Sequence, residues 1–179
     1  MDNFWHIFFI WLHILGVALL VGPQFFLALA WIPASREITD LRVRVKAMRT
    51  ITRRFGYIGG AGIVLLVLAG SYLIADWRDY YGIPEDAEFT SLRFGVVFII
   101  KMSLFTVMLA ALAVHMFWLG PRQLEAMEAQ ANGERISEAE VRSARRQSMI
   151  TSILGLVLAL AIMVLGAMLN TEGWSLQEI

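Results

Sequence analysis

The chain contains no cysteine among its 179 residues. That absence excludes disulfide staples, Cys-ligated zinc and thiolate chemistry. Charge is scarce as well: 17% of residues are Asp, Glu, Lys or Arg, and 58% are apolar. A soluble domain carries about 25% charged residues. Fifteen basic residues cancel fifteen acidic ones, so the basic excess of a nucleic-acid binder is missing. The low hydrophobicity that disorder requires is missing too. Acyl and phosphoryl transfer also lack support, because there is no nucleophile–base pairing, P-loop or carboxylate inside the apolar stretches.

What is present is four long runs nearly free of charge. Asn3–Ser35, Phe55–Ala75 and Gln147–Thr171 contain no Asp, Glu, Lys or Arg, and Phe94–Gly120 contains only Lys101. A bilayer core of about 30 Å needs about 20 helical residues, and each run is long enough. Backbone groups in lipid must be satisfied within the segment, which makes the spans helices. The four runs total 106 residues, leaving too little polar chain to cover them in water. The expectation is an all-α polytopic membrane protein, an antiparallel bundle of four transmembrane helices. It forms a single transmembrane domain over residues 1–179, with spans at about 4–33, 55–75, 94–119 and 148–170. Asp2 is the only early charge and the first run is long, unlike a cleaved leader; the first span is expected to stay in the mature protein.

The connecting loops separate the charges that cancel overall. Arg36–Arg54 holds seven basic residues against Glu37 and Asp40. Asp76–Arg93 holds Arg78 and Arg93 against five acids, and Pro121–Arg146 holds five Arg against five Glu. Counting only Lys and Arg places the first and third loops in the cytoplasm. Both termini then lie outside, in a bacterial inner (cytoplasmic) membrane. Trp5, Trp77 and Trp174 fall at outer ends, and Trp31 and Trp118 at inner ends, as an aromatic belt requires. In the third loop, Ser137-Glu138-Ala139-Glu140 reads as a capping box. The helix it opens would run through Arg145 and Arg146 into the fourth span, with Gly133 stopping the segment before it.

Ionisable residues inside a span are costly and are candidates for function. Here they are His13, Lys101 and His115, with His6 near the outer end. His13 and Gln24 fall about 20° from a shared helical face, with Gly16 and Leu20 on the same stripe. Lys101 and His115 fall about 40° apart, with Met108 and Leu112 between them. Measured from span midpoints, His13 and Lys101 lie roughly 7 and 9 Å outward, and His115 roughly 12 Å inward. Met102 and Met163 fall within a turn of the outer level. About 20 Å of depth separates His13 from His115, which argues against one haem iron bridging them. His6 and His13 share a face but stand about 10 Å apart in rise.

The stretch Trp11-Leu12-His13-Ile14-Leu15-Gly16-Val17-Ala18-Leu19-Leu20-Val21-Gly22 resembles the first core helix of CopD-like (copper resistance D) membrane proteins. Arg54-Phe55, leading into a span that ends Leu68-Ala69-Gly70, is similar to the family's next helix. Phe94-Gly95, Ile100-Lys101 and Pro121-Arg122 are similar to the one after that. The resemblance covers about residues 8–122. Similarity to the haem-containing bacterial protoporphyrinogen oxidase family is more distant. That family also has a His in its first span and a Lys opening its third. Its His-rich motif after that Lys and its aromatic-Leu-Pro-Arg motif after span one are not present here.

Three readings follow. The CopD resemblance implies a redox-metal protein, with copper bound or passed along the bundle. His13, Met102 and Met163 would be its ligands, since imidazole and thioether suit copper. In the second reading the chain is a b-type haem protein, an electron carrier or porphyrinogen oxidase. His13 would be an axial ligand, Lys101 or Arg54 would neutralise carboxylates, and His115 would be either cofactor-binding or structural. In the third it is a non-catalytic subunit. Partners are the lipid bilayer, without nucleic acid, and the choice between a homodimer and a larger membrane complex stays open. So does the question of enzyme or not.

Overall fold

In an apolar solvent a segment must close its own hydrogen bonds, and the long uncharged runs do so as helices. The computed structural model describes residues 2–179. Among these residues there is no strand, and β-pairing is limited to one antiparallel bridge between Leu92 and Glu178. Four continuous helical stretches are long and apolar enough to cross a membrane: Phe4–Ser35, Leu41–Ala75, Arg93–Ala131 and Glu138–Leu169. The protein is therefore all-α, and it is a multi-pass membrane protein. Its most apolar windows are only 22%, 22%, 11% and 11% buried within the chain. So much exposed apolar surface is a liability in water, whereas hydrocarbon solvates it.

The chain divides into two compact units, the boundary falling between Glu85 and Asp86. The first is a helical hairpin. Helix α1 (Asp2–Phe26) passes through a π-helical turn, Leu27–Trp31, into the short α2 (Ile32–Ser35). After a turn, α3 (Leu41–Ala75) runs back antiparallel to α1, and α4 (Trp77–Tyr81) follows it. Asp40 caps α3, its carboxylate accepting the Arg42 and Val43 amides at 2.8 and 3.2 Å. Six of the seven basic residues expected in a loop are therefore helical, from Arg42 to Arg54. At 35 residues, α3 is about 52 Å long, so its basic first turns extend beyond a hydrocarbon core of about 30 Å.

Close approach of the backbones holds this hairpin together. A side-chain carbon placed on Gly16 would lie 2.9 Å from the Gly62 carbonyl, and one on Gly62 would lie 2.8 Å from the Gly16 carbonyl. Helices in lipid gain little from excluding water between them, so close van der Waals contact through small residues carries their association. Leu20, Val21, Leu66 and Ala69 are buried around the crossing. Phe9 stacks on Tyr72 with centroids 3.9 Å apart, extending the contact toward the start of α1.

The second unit repeats this plan. Helix α5 (Arg93–Val114) enters a π-helical turn, His115–Leu119, and continues as α6 (Gly120–Ala131); α7 (Glu138–Leu169) returns antiparallel. Pro33 and Pro121 each stand just after a π segment inside a continuous helical stretch, where the missing amide interrupts the regular hydrogen-bond ladder. Gly133, at φ +74°, ends the α6 segment, and Glu134 donates back to the Ala129 carbonyl at 3.0 Å. Ser137 accepts the Glu140 amide at 3.1 Å, so α7 begins at the anticipated cap. The C-terminal segment, including α8 (Glu172–Ser175), folds back on the start of α5. Arg93 and Ile179 donate to the Gln177 and Ser91 carbonyls, each at 3.0 Å, and the Arg93 guanidinium lies over the Trp174 ring.

Candidate functional site

Both histidines of α1 turn toward α3. His13 sits beside Gly70: a side-chain carbon on that glycine would lie 3.5 Å from Cε1 and 3.6 Å from Nδ1 of the imidazole. The Cε1–Nδ1 edge thus rests on the backbone of α3. Gly16 and Leu20, on the same stripe, pack onto Gly62 and Gly59. Gln24, the other polar member of the stripe, donates from Nε2 to its own helix at Leu20, 3.1 Å away. It therefore has a local partner.

Two turns outward, His6 is 6% exposed. Its Nδ1 lies 2.8 Å from Oδ2 of Asp76, and its ring stacks on Tyr80 with centroids 3.5 Å apart and planes 1° from parallel. A carboxylate can only accept, so Nδ1 carries the shared proton and the ring is held in one orientation. Carboxylates orient metal-ligating imidazoles in this way. Neither Asp76 nor Tyr80 was singled out in the sequence. The available signal was positional, since Asp76 is the first charge beyond the second apolar run and His6 lies at the matching end of the first.

In the second unit, Lys101 occupies a corresponding position beside a glycine. A side-chain carbon on Gly166 would lie 3.8 Å from its Nζ and 4.0 Å from its Cε. Neither α5 nor the apolar run of α7 contains a carboxylate to pair with it. Met102 and Met163 are 40% and 44% exposed. His115 begins the π turn, and its Nδ1 is buried without a hydrogen-bond partner. Arg54 is an exposed residue in the basic first half of α3. It lies 16 residues before Gly70, about 24 Å along α3, so it is far from the level of His13.

No family model, curated protein or solved structure matches this chain. The chemistry must therefore be read from the side chains. Among the described residues no three His, Cys, Asp or Glu side chains form a group that could hold a metal ion. What the first hairpin offers is one imidazole beside the α3 backbone and a second, carboxylate-oriented imidazole near the start of α1. That arrangement supplies single nitrogen donors at two levels, with no multidentate cage.

Proposed function

We propose that the chain is a CopD-like protein of the bacterial inner membrane that handles a redox metal in the outer half of its first hairpin. Both termini face outward, in keeping with the basic character of the inner ends. The observation that carries this reading is the His13 imidazole seated against Gly70 in the uncharged part of the first hairpin. An ionisable side chain is expensive there, and a ligand role accounts for its presence.

The donor set bears on which metal. A bare copper ion needs several protein donors, and the first hairpin offers one imidazole beside Gly70; Met102 and Met163, in the second unit, are substantially exposed. Haem b brings its own four nitrogens and asks the protein for one or two axial ligands. A single imidazole meets that requirement, so haem b is the form these residues serve best, with copper as the alternative. Bound there, haem would supply one-electron transfer. His13 would hold the iron through Nε2, the nitrogen off the edge that rests on Gly70.

The visible spectrum of purified protein, with elemental analysis, tests the reading. A Soret band lost in His13→Ala supports haem. A colourless protein with stoichiometric copper, lost in the same variant, supports copper. If neither group is bound and His13→Ala with Lys101→Met leaves the cellular phenotype intact, the chain is an accessory subunit.

A further inference from the structure

The second unit carries a groove of about 470 Å³ at its inner end, within the size range of small-molecule sites. One wall is the stretch from the end of α5 through its π turn into α6, and the other is the start of the apolar run of α7. The lining changes character along its length. Val114 and Ile150 form the membrane-ward part, Trp118 and Thr151 come next, and Arg122 and Gln147 stand at the rim. From Val114 to Arg122 is about 12 Å of helix. That distance crosses the boundary where the uncharged runs of both helices end.

Of the residues that line the groove Arg122 alone is charged, with the exposed Glu125 one turn further along α6. None of the lining residues is acidic, and Arg145 and Arg146 follow closely on α7, both exposed. Among the described residues the Arg122 guanidinium has no ion-pair partner. Trp118 is 67% exposed, at the level where indole rings favour the headgroup region. An apolar floor, an interfacial Trp and an unpaired guanidinium in sequence match one kind of molecule along its long axis.

The geometry points to a binding site for one anionic phospholipid of the inner leaflet. Its phosphate lies on Arg122, with the Gln147 amide as a second donor, and an acyl chain runs along Val114 and Ile150. A soluble anion would leave the apolar part of the groove without a partner. A zwitterionic lipid would present its own cation to Arg122 and its neighbours. Basic pockets on the cytoplasmic side of transmembrane helices select acidic headgroups for this reason. The site belongs to the second unit alone and does not rest on the redox-metal reading.

The test is native mass spectrometry of full-length protein exchanged into mixed micelles of phosphatidylglycerol and phosphatidylcholine. One phosphatidylglycerol per chain should be retained in preference to phosphatidylcholine. Arg122→Gln should weaken that retention by about tenfold or more, the expected loss of a charge-assisted contact. Ile150→Trp, which fills the apolar floor, should lower retention of both lipids. Arg135→Gln, in the α6–α7 loop, should leave it unchanged. Helicity by circular dichroism checks that each variant is folded, and Arg122→Gln suffices if Ile150→Trp is not. Equal retention of the two lipids, or indifference to Arg122→Gln, overturns the proposal. Displacement of the lipid by millimolar inorganic phosphate also overturns it, assigning the groove to a soluble anion.

Discussion

His6 Nδ1 and Asp76 Oδ2 lie 2.8 Å apart, joining the first turns of α1 to the residue that ends α3. The pair closes the open end of the first hairpin as the Gly16–Gly62 crossing closes its middle. Removing one partner of a buried pair strands the other, although Asp76 keeps 31% of its side-chain surface in solvent, which reduces the cost. Asp76→Ala should destabilise the hairpin by about 1–2 kcal/mol, and Asp76→Asn by less. Detergent-titrated unfolding followed by circular dichroism measures this, and an unchanged midpoint for Asp76→Ala would contradict it.

The glycines divide into two classes. Gly62→Ala places a carbon 2.8 Å from the Gly16 carbonyl and must push the helices apart. The expected loss is about 1–3 kcal/mol. Gly22 and Gly155 have nothing within 4 Å of the corresponding position, so replacing either with Ala should be neutral or stabilise by up to about 1 kcal/mol. Comparing the three unfolding midpoints tests the distinction.

Gly70 offers a graded test of the His13 site. Alanine there would meet the imidazole at 3.5 Å, an ordinary contact, so on the proposed reading Gly70→Ala should retain the bound group. Leucine has no room without displacing the ring. Gly70→Leu should lower cofactor content several-fold, read from the absorbance-to-protein ratio, while far-ultraviolet circular dichroism stays helical. Equal content in the two variants would separate Gly70 from the site.

Lys101 has no carboxylate to stabilise within its helix pair, so its charge is a burden on the fold. Lys101→Met should leave the unfolding midpoint unchanged or raise it, since a central Lys costs about 2.5–3.5 kcal/mol on insertion scales. A clear fall in the midpoint would reveal a structural role.

Gly95 lies under the backbone carbonyl of Phe89, and any side chain there collides with it. Gly95→Ala should lift the Phe89–Ser91 turn and loosen the C-terminal segment paired beside it, at a cost of about 1–3 kcal/mol. Faster proteolysis around Trp174 and a shift in tryptophan emission are the expected signs. Protection equal to wild type would be the contrary result.

Much of this architecture was legible residue by residue. The Ser137 cap and the Gly133 stop depend on a few neighbouring residues, and both occur where the sequence places them. The Asp40 cap is equally local, but the density of basic residues after it gives that stretch the character of a loop. The shared π-turn plan of the two units left no detectable sequence repeat, since Leu27–Trp31 and His115–Leu119 have little in common but their aromatic residues. Of the site residues, His13 was legible as a polar group on a small-residue stripe. Its seat on Gly70 was not, nor was the pairing of His6 with Asp76.

The sequence by itself determined that the chain crosses a membrane as helices and how often it can do so. Those properties follow from uncharged length measured against bilayer thickness, a one-dimensional comparison. It also determined which few ionisable groups enter the apolar interior. Only the tertiary structure decided what each group meets: Asp76 for His6, Gly70 for His13, Gly166 for Lys101. The reason is that the register and rotation of two helices in lipid depend on how closely their backbones approach. That approach is set by the whole interface at once, and no single spacing in the chain encodes it.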